Sequence, residues 1–591
     1  MASTISLTPV GLLVALIAHS ASASQVQDSE QLSAMILQKQ AEIRIADTVI
    51  LDHVLLPIVS NMKIVGSEGA IIDCQGRAGL RVREGGQLLL RGIEMRNCRS
   101  DQSGAAIDVS QGSLTVEDGV FVDNHALNGG AVAAVDSELT FRGVQFRNNK
   151  ATEYGGAVYG RSAKVTLERV VFEGNSAGFT GGALGNWQGS VFVRRTAFNK
   201  NQAEVGAALA SVNGQVDLVG PDIEFNGNES KFYGGAIQNE GADAAIRMSK
   251  VSANDNVASA GGFLFNKEGD VDIRNSTITN NRALAAEGGA ITQRGGRVTV
   301  LRTHFEGNRA HAHGGAIASA GRLSLLQGNS LVGNHAGTHG GAVASGRTDY
   351  IAGLTISDAV LRGNTAAQRG GGVLVASNAN IINSALIENS ADVGGGLRVE
   401  LLAHPARVSV INSTIAENRA RRGGAVYAVA ASAEDAAFEM SNATVVFNQA
   451  SETGDALYLD IDRCTLGNSA IYTDPTGRNS QLVIGKCDSE GGNLFGFAPA
   501  IDLHDADQTG SAMAPLNPLL GALSEDANGT PYYAPLAGSP LINRGRPSVA
   551  LKRSGVELKT DQRGDGFPRI VDQFIDVGAI EYAEGQSAND E

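Results

Sequence analysis

The sequence predicts an all-β fold, a single right-handed parallel β-helix with three short strands per rung, a short N-terminal capping helix and a C-terminal cap. Three observations lead there. An Asn recurs at Asn124, Asn149, Asn175, Asn201, Asn228, Asn254, Asn281, Asn308, Asn334, Asn364, Asn389, Asn418 and Asn448, a spacing of about 25–30 residues that marks a solenoid. An apolar residue stands three positions before each Asn, such as Phe121, Phe146, Phe172, Phe198, Phe225 and Phe305, or Val251, Ile278 and Leu331. A short polar run then leads to Gly-Gly and a small or aliphatic pair, as in "FEGNRAHAHGGAI" at 305–317 and "LVGNHAGTHGGAV" at 331–343.

The strands come next. From Gly156 the chain reads "GAVYGRSAKVTLERVVFEGNSAGFTGG". Its short runs alternate apolar and polar residues or are rich in β-branched ones. Two Gly in each repeat would cost a helix about 1 kcal/mol apiece, so a helical solenoid is disfavoured. In a parallel β-helix each strand pairs with its counterpart one rung on, about 4.8 Å away. The Phe positions then form an internal aromatic ladder. The Asn sits at a turn, where its amide bonds backbone and the next Asn. Gly-Gly suits a tight turn of positive φ where rungs pack closely.

The chain has 591 residues with 74 Gly, 13 Pro and 5% aromatics. That length exceeds one compact core and suits an elongated one. Hydrophobic residues make up 42%, so the Gly content does not signal disorder. A net charge of −15 argues against nucleic acid and anionic membranes, which need basic patches.

Four segments are expected: a signal peptide over 1–24, an N-terminal cap over 25–60, the β-helix over 61–496 and a C-terminal segment over 497–591. Residues 10–18 are apolar and Ala21-Ser22-Ala23 fits a small-residue cleavage site. No later run reaches the roughly 20 apolar residues that span a bilayer. "DSEQLSAMILQKQ" reads as a short helix with Leu32, Met35 and Ile36 on its apolar stripe and Asp28 or Ser29 as its cap. Cys74 and Cys98 are separated by about one rung, as are Cys464 and Cys487. Four Cys allow three pairings; stacking favours Cys74–Cys98 and Cys464–Cys487, and export makes their oxidation expected.

At the C-terminal end "GGNLFG", "NPLLG", "GSPLINRG", "DQRG…PR" and "DVGAIEY" follow in order. This stretch resembles the end of bacterial choice-of-anchor Q proteins, secreted right-handed β-helix proteins, although Asn517 and Asn543 stand where that pattern carries Asp. The repeats from about Phe121 to Leu457 resemble those of polymorphic outer membrane proteins, whose signature pairs are GGA[ILV] and FxxN. Val205-Gly206-Ala207 and Gly454-Asp455-Ala456 are degenerate copies. These resemblances imply the fold and export to the cell surface, the outer membrane or the medium. The barrel translocator of the polymorphic proteins is not expected, because the chain ends soon after Glu581.

Two function classes compete. One is a non-catalytic adhesin or carbohydrate-binding rod facing a polysaccharide or a host or cell-surface glycan. The other is a polysaccharide lyase or glycoside hydrolase, which needs clustered carboxylates or a calcium site. Glu173, Glu306, Asp255, Asp270 and Asp272 do not align across rungs, so the first class is preferred, with no catalytic residue and no cofactor assigned. Two patches remain. The residues before Gly-Gly run Glu287, His313, His339 and Arg369. His313 and His339 should stack about 5 Å apart, and with Glu287 they are candidate zinc ligands. Tyr154, Phe179, Trp187, Phe232 and Tyr233 lie near the same corner in nearby rungs and are candidates for stacking on sugars. Asp561, Arg563, Arg569, Asp576 and Glu581 are expected to form a charge-paired cap over the last rung.

Overall fold

The chain winds into a right-handed parallel β-solenoid of about 16 turns. The computed structural model describes residues 24–346, 353–401, 406–430, 436–461, 463–473, 483–485, 487–498, 501–550 and 558–583. The expected signal peptide lies outside the described residues.

One rung shows how the sequence makes a turn. Ser113–Glu117 and Val120–Val122 lie in a long sheet A. His125–Asn128 lies in a short sheet C and Val132–Val135 in sheet B. Asp118 (φ 52°), Asp123 (φ 55°) and Gly129 (φ 59°) occupy the left-handed region between them. Asp and Gly tolerate that conformation better than other residues. The chain thus has three sheets per turn, and sheet A is creased once in each rung. Pairing is parallel and in register one turn on, for example Leu114 with Leu139 and Leu139 with Val165.

The interior is built from columns. Phe121, Phe146, Phe172, Phe198 and Phe225 stack with centroids 4.8–5.0 Å apart and planes within 9°. In the next rung Ala253 takes the Phe position. Phe263, where other rungs carry the Ala after Gly-Gly, then fills the space and meets Phe225 edge-on at 5.8 Å. The ring has moved to the facing strand, and the core stays close-packed.

A second column is the Asn ladder. Asn308 Nδ2 donates to Asn334 Oδ1 (3.0 Å) and to the Ile278 carbonyl (2.9 Å), and the Asn308 amide donates to the same Asn334 oxygen (3.0 Å). The pattern repeats from Asn124 through Asn149, Asn175, Asn201 and Asn228, and onward through Asn281, Asn334, Asn364, Asn389 and Asn418 to Asn448. One expected member is corrected: the ladder residue between Asn228 and Asn281 is Asn256, not Asn254. In "SANDN" the apolar position is Ala253, and Asn254 points outward to Asp255. A small apolar residue hid the register there.

The two glycines do different work. The first has positive φ, 66° at both Gly314 and Gly340. The second has no room, because a Cβ at Gly315 would run into the Gly341 carbonyl. Ala207 occupies the second position in a degenerate rung. There the amide donates to Ser230 Oγ (3.0 Å) rather than to a carbonyl of the next turn.

The ends are closed differently. Asp28 caps helix α1 (Ser29–Leu37) by accepting from the Gln31 amide, and Leu32 and Ile36 are buried in the same core as Val26 and Ile43. Strand stacking in sheet A runs from Ser24–Val26 to Gln508–Thr509. Disulfides join Cys74 to Cys98 and Cys464 to Cys487, each with Cα atoms 4.6 Å apart.

The five C-terminal charges are buried together, with Arg563 on Asp561 (2.5 Å) and Arg569 near Glu581 (3.4 Å). Their position corrects the expected cap over the last rung, because they dock on the outer side of sheet A across several rungs. Thr414 Oγ1 donates to Gln562, the Ala579 amide to Thr444 Oγ1, Arg569 to Asn442 Oδ1 and the Gly578 amide to the Asn468 carbonyl. The cause is an outward row that changes character. Arg147, Glu173 and Asn199 occupy it early, and Ile387, Ala416, Val446 and Tyr472 late. Apolar surface needs a cover, and Tyr533, Leu520 and Leu523 provide it.

Candidate functional site

The outward face of sheet B carries the site. After Gly-Gly and a small residue, the strand alternates inward and outward, as in Val158–Arg161 and Leu457–Asp460. Its outward residues run beside the column that precedes Gly-Gly. That column includes Tyr154, Thr180 and Val205, then Tyr233 and Ala260, then His313, His339, Arg369, Val393 and Arg422. A trough lies between this column and the far end of the sheet B strands. On the outer face of sheet A charges pair between rungs, with Lys164 on Glu138 (2.7 Å) and Arg142 on Glu117 (3.6 Å) and Glu168 (3.8 Å).

Side chains cross the trough at intervals. Tyr154 meets Trp187 (4.9 Å), and Tyr159 meets Trp187 (5.3 Å). Tyr233 stacks on Phe265 (4.6 Å). Glu287 pairs with Arg294 (2.9 Å). Farther along, Glu400 accepts from Arg369 (2.9 Å) and from Arg398 (2.7 Å). Arg398 lies over the Tyr427 ring (4.3 Å), which stacks on Tyr458 (4.2 Å).

Between the Glu287–Arg294 and Arg369–Glu400 crossings lies an open pocket of ≈160 Å³. His313 and His339 form its wall, and Ala318, Ala344 and Leu374 its floor. The imidazoles stack 4.8 Å apart and nearly parallel, and Thr338 Oγ1 bonds His313 Nδ1 (2.7 Å). Burial, then the neighbouring His313 and Arg369 charges, hold His339 below the usual imidazole range, so it is neutral at neutral pH. Its Nδ1 has no hydrogen-bond partner among the described residues.

The structure separates the candidates that the sequence grouped. Glu287, His313 and His339 do not converge as metal ligands, because the rings lie face to face and the carboxylate is held by Arg294. Among the described residues no three His, Cys, Asp or Glu come together as a metal site. Tyr154, Trp187 and Phe179 do gather, with Phe179 6.0 Å from Tyr154. Phe232 and Tyr233 belong to a second group with Phe265, and Lys231 lies over Phe232 (4.8 Å). Tyr159, Phe265, Arg398, Tyr427 and Tyr458 went unread. All occupy the second place after the Gly-Gly-small triplet or its degenerate copy, so alternation carried through that strand would have found them.

A family model for the Chlamydia polymorphic membrane protein repeat matches residues 143–161, a stretch holding the ladder Asn149, Tyr154 and the Gly155-Gly156 turn. A solved structure described as a new PL6 alginate lyase complex with trisaccharide matches at 12% identity and a TM-score of 0.30, over 88% of this chain and 92% of that chain. No curated protein matches the chain in sequence. Among the described residues no helix is long and apolar enough to cross a membrane, which does not bear on β-barrel spans.

Proposed function

We propose that this chain is an exported rod, at the bacterial surface or outer membrane or secreted from it, which binds glycans along the outward face of sheet B without cleaving them. The repeat match supports the location. One observation carries the binding reading: aromatic rings and an open pocket share one trough on a rigid sheet. Rings such as Trp187 and Tyr154 offer apolar faces to sugar C–H groups, and a preformed surface loses little entropy on binding.

A lyase or hydrolase reading is disfavoured by the carboxylates at the pocket. Glu287 and Glu400 are each tied to Arg. They stand four rungs apart, about 19 Å at about 4.8 Å per rung. A glycosidase pair sits about 5–9.5 Å apart. A glycan array paired with a depolymerisation assay tests the proposal. Binding without product is expected, whereas release of unsaturated or reducing ends overturns the non-catalytic part. Trp187→Ala should weaken binding about tenfold if the aromatic crossing contributes.

A further inference from the structure

We infer that the pocket beside His313 and His339 takes one acidic sugar unit of the bound glycan, with its carboxylate or sulfate on Arg369. This rests on the glycan-binding reading and assigns the ligand class and the residue that selects it.

The whole chain carries −15, yet one rung beyond His339 in the same column stands Arg369, which shares the Glu400 carboxylate with Arg398. Arg398 is itself buried and holds Glu400 through Nε (2.9 Å) and Nη2 (2.7 Å). Glu400 is therefore neutralised without Arg369, which leaves one positive charge in excess. Arg369 is the outer, half-exposed partner. Glu287, which lines the pocket, is balanced by Arg294. Asp392, within electrostatic reach of Arg422, is bound by Arg421 (2.8 Å). An anion entering the pocket thus meets one surplus guanidinium, whose planar fork suits a carboxylate or sulfate.

Shape supports the same class. The Ala318 and Ala344 methyls make a flat apolar floor for the C–H face of a ring. The stacked imidazoles of His313 and His339 line the same pocket. The space is about that of one pyranose unit.

The test titrates the full chain with neutral, uronate-containing and sulfated oligosaccharides of equal length, comparing wild type, Arg369→Gln and Ala344→Leu. Acidic oligosaccharides should bind at least about tenfold more tightly than neutral ones. Arg369→Gln should abolish that preference and flatten its salt dependence. Ala344→Leu, which fills the floor from outside the core, should weaken acidic binding as strongly. Binding of uronates alone, or of sulfated units alone, upholds the inference and identifies the anion. Equal affinity for neutral and acidic glycans, or wild-type affinity in Arg369→Gln, overturns this inference and leaves the glycan-binding reading standing. No binding to any glycan overturns both.

Discussion

Asn308 and His313 stand five residues apart in one turn of the solenoid, and both repeat along it. Asn308 is fully buried and bonds backbone and side chain on both neighbouring rungs. His313 sits at the trough wall, and its column holds Tyr, Thr, Val, Ala, His and Arg in other rungs. From Asn124 to Asn448 the first column holds Asn, because each carboxamide satisfies buried groups that the next rung leaves open. The second varies because stacking uses only its backbone. The repeat therefore separates the residues that hold the rod together from those free to meet a ligand.

Four substitutions or conditions sharpen that contrast, in order of expected effect. Gly315→Ala places a methyl against the Gly341 carbonyl and should cost about 3 kcal/mol, the upper end for overpacking. Urea denaturation measures it. The Ala207 rung suggests a rescue, since a Ser hydroxyl that accepts the displaced amide should recover part of the loss.

Asn308→Ala should cost about 1–3 kcal/mol, because it leaves buried donors and acceptors unpaired. In a one-dimensional stack the damage stays near its source. Hydrogen exchange should show lost protection around Asn281 to Asn334 and little change near Asn149. Uniform loss along the rod would contradict the ladder account.

The C-terminal clamp should loosen as pH rises. It buries Arg563 and Arg569 with Asp561, Asp576 and Glu581, two positive groups against three carboxyls. Charge balance there requires one carboxyl to keep its proton. Burial pushes Glu581 up to about 8 and Asp576 upward as well. A raised carboxyl binds its proton more tightly when folded than when unfolded, near 4.5. Its contribution is therefore full at low pH and fades as pH climbs from about 4.5 through about 8. Proteolysis of the 516–582 segment should quicken as pH rises from about 5 to about 8, and Glu581→Gln should remove that dependence. A pH-independent cleavage rate would refute the charge count.

His313→Ala should change stability by no more than about 0.5 kcal/mol, read in the same denaturation series. If it destabilised as much as Asn308→Ala, the two columns would not differ in kind.

Much of the fold was legible because it is written locally and often. The Asn, the apolar residue three before it and Gly-Gly recur in most turns from Phe121 on, so period, strand direction and the one-rung cysteine pairs follow from spacing. Asn254 shows the limit. Where Ala253 replaced Phe, the local signal lost its anchor, and only the paired register identified Asn256. The aromatic crossing of Tyr154 and Trp187 was half legible, since its partner Tyr159 stood one strand position beyond the motif.

By itself, the sequence determined a right-handed stack of parallel rungs with an Asn column inside and a variable column beside Gly-Gly, because those features depend on contacts between identical positions one period apart. Only the tertiary structure placed His313, His339 and Glu287 around one pocket, since ring orientation and the Glu287–Arg294 pair depend on neighbouring columns. It alone placed the C-terminal charges on the flank of sheet A, where Thr414 meets Gln562 across 148 residues. A contact at that separation has no period, and burial of an apolar row by a distant segment is settled by shape and solvent exclusion rather than by spacing.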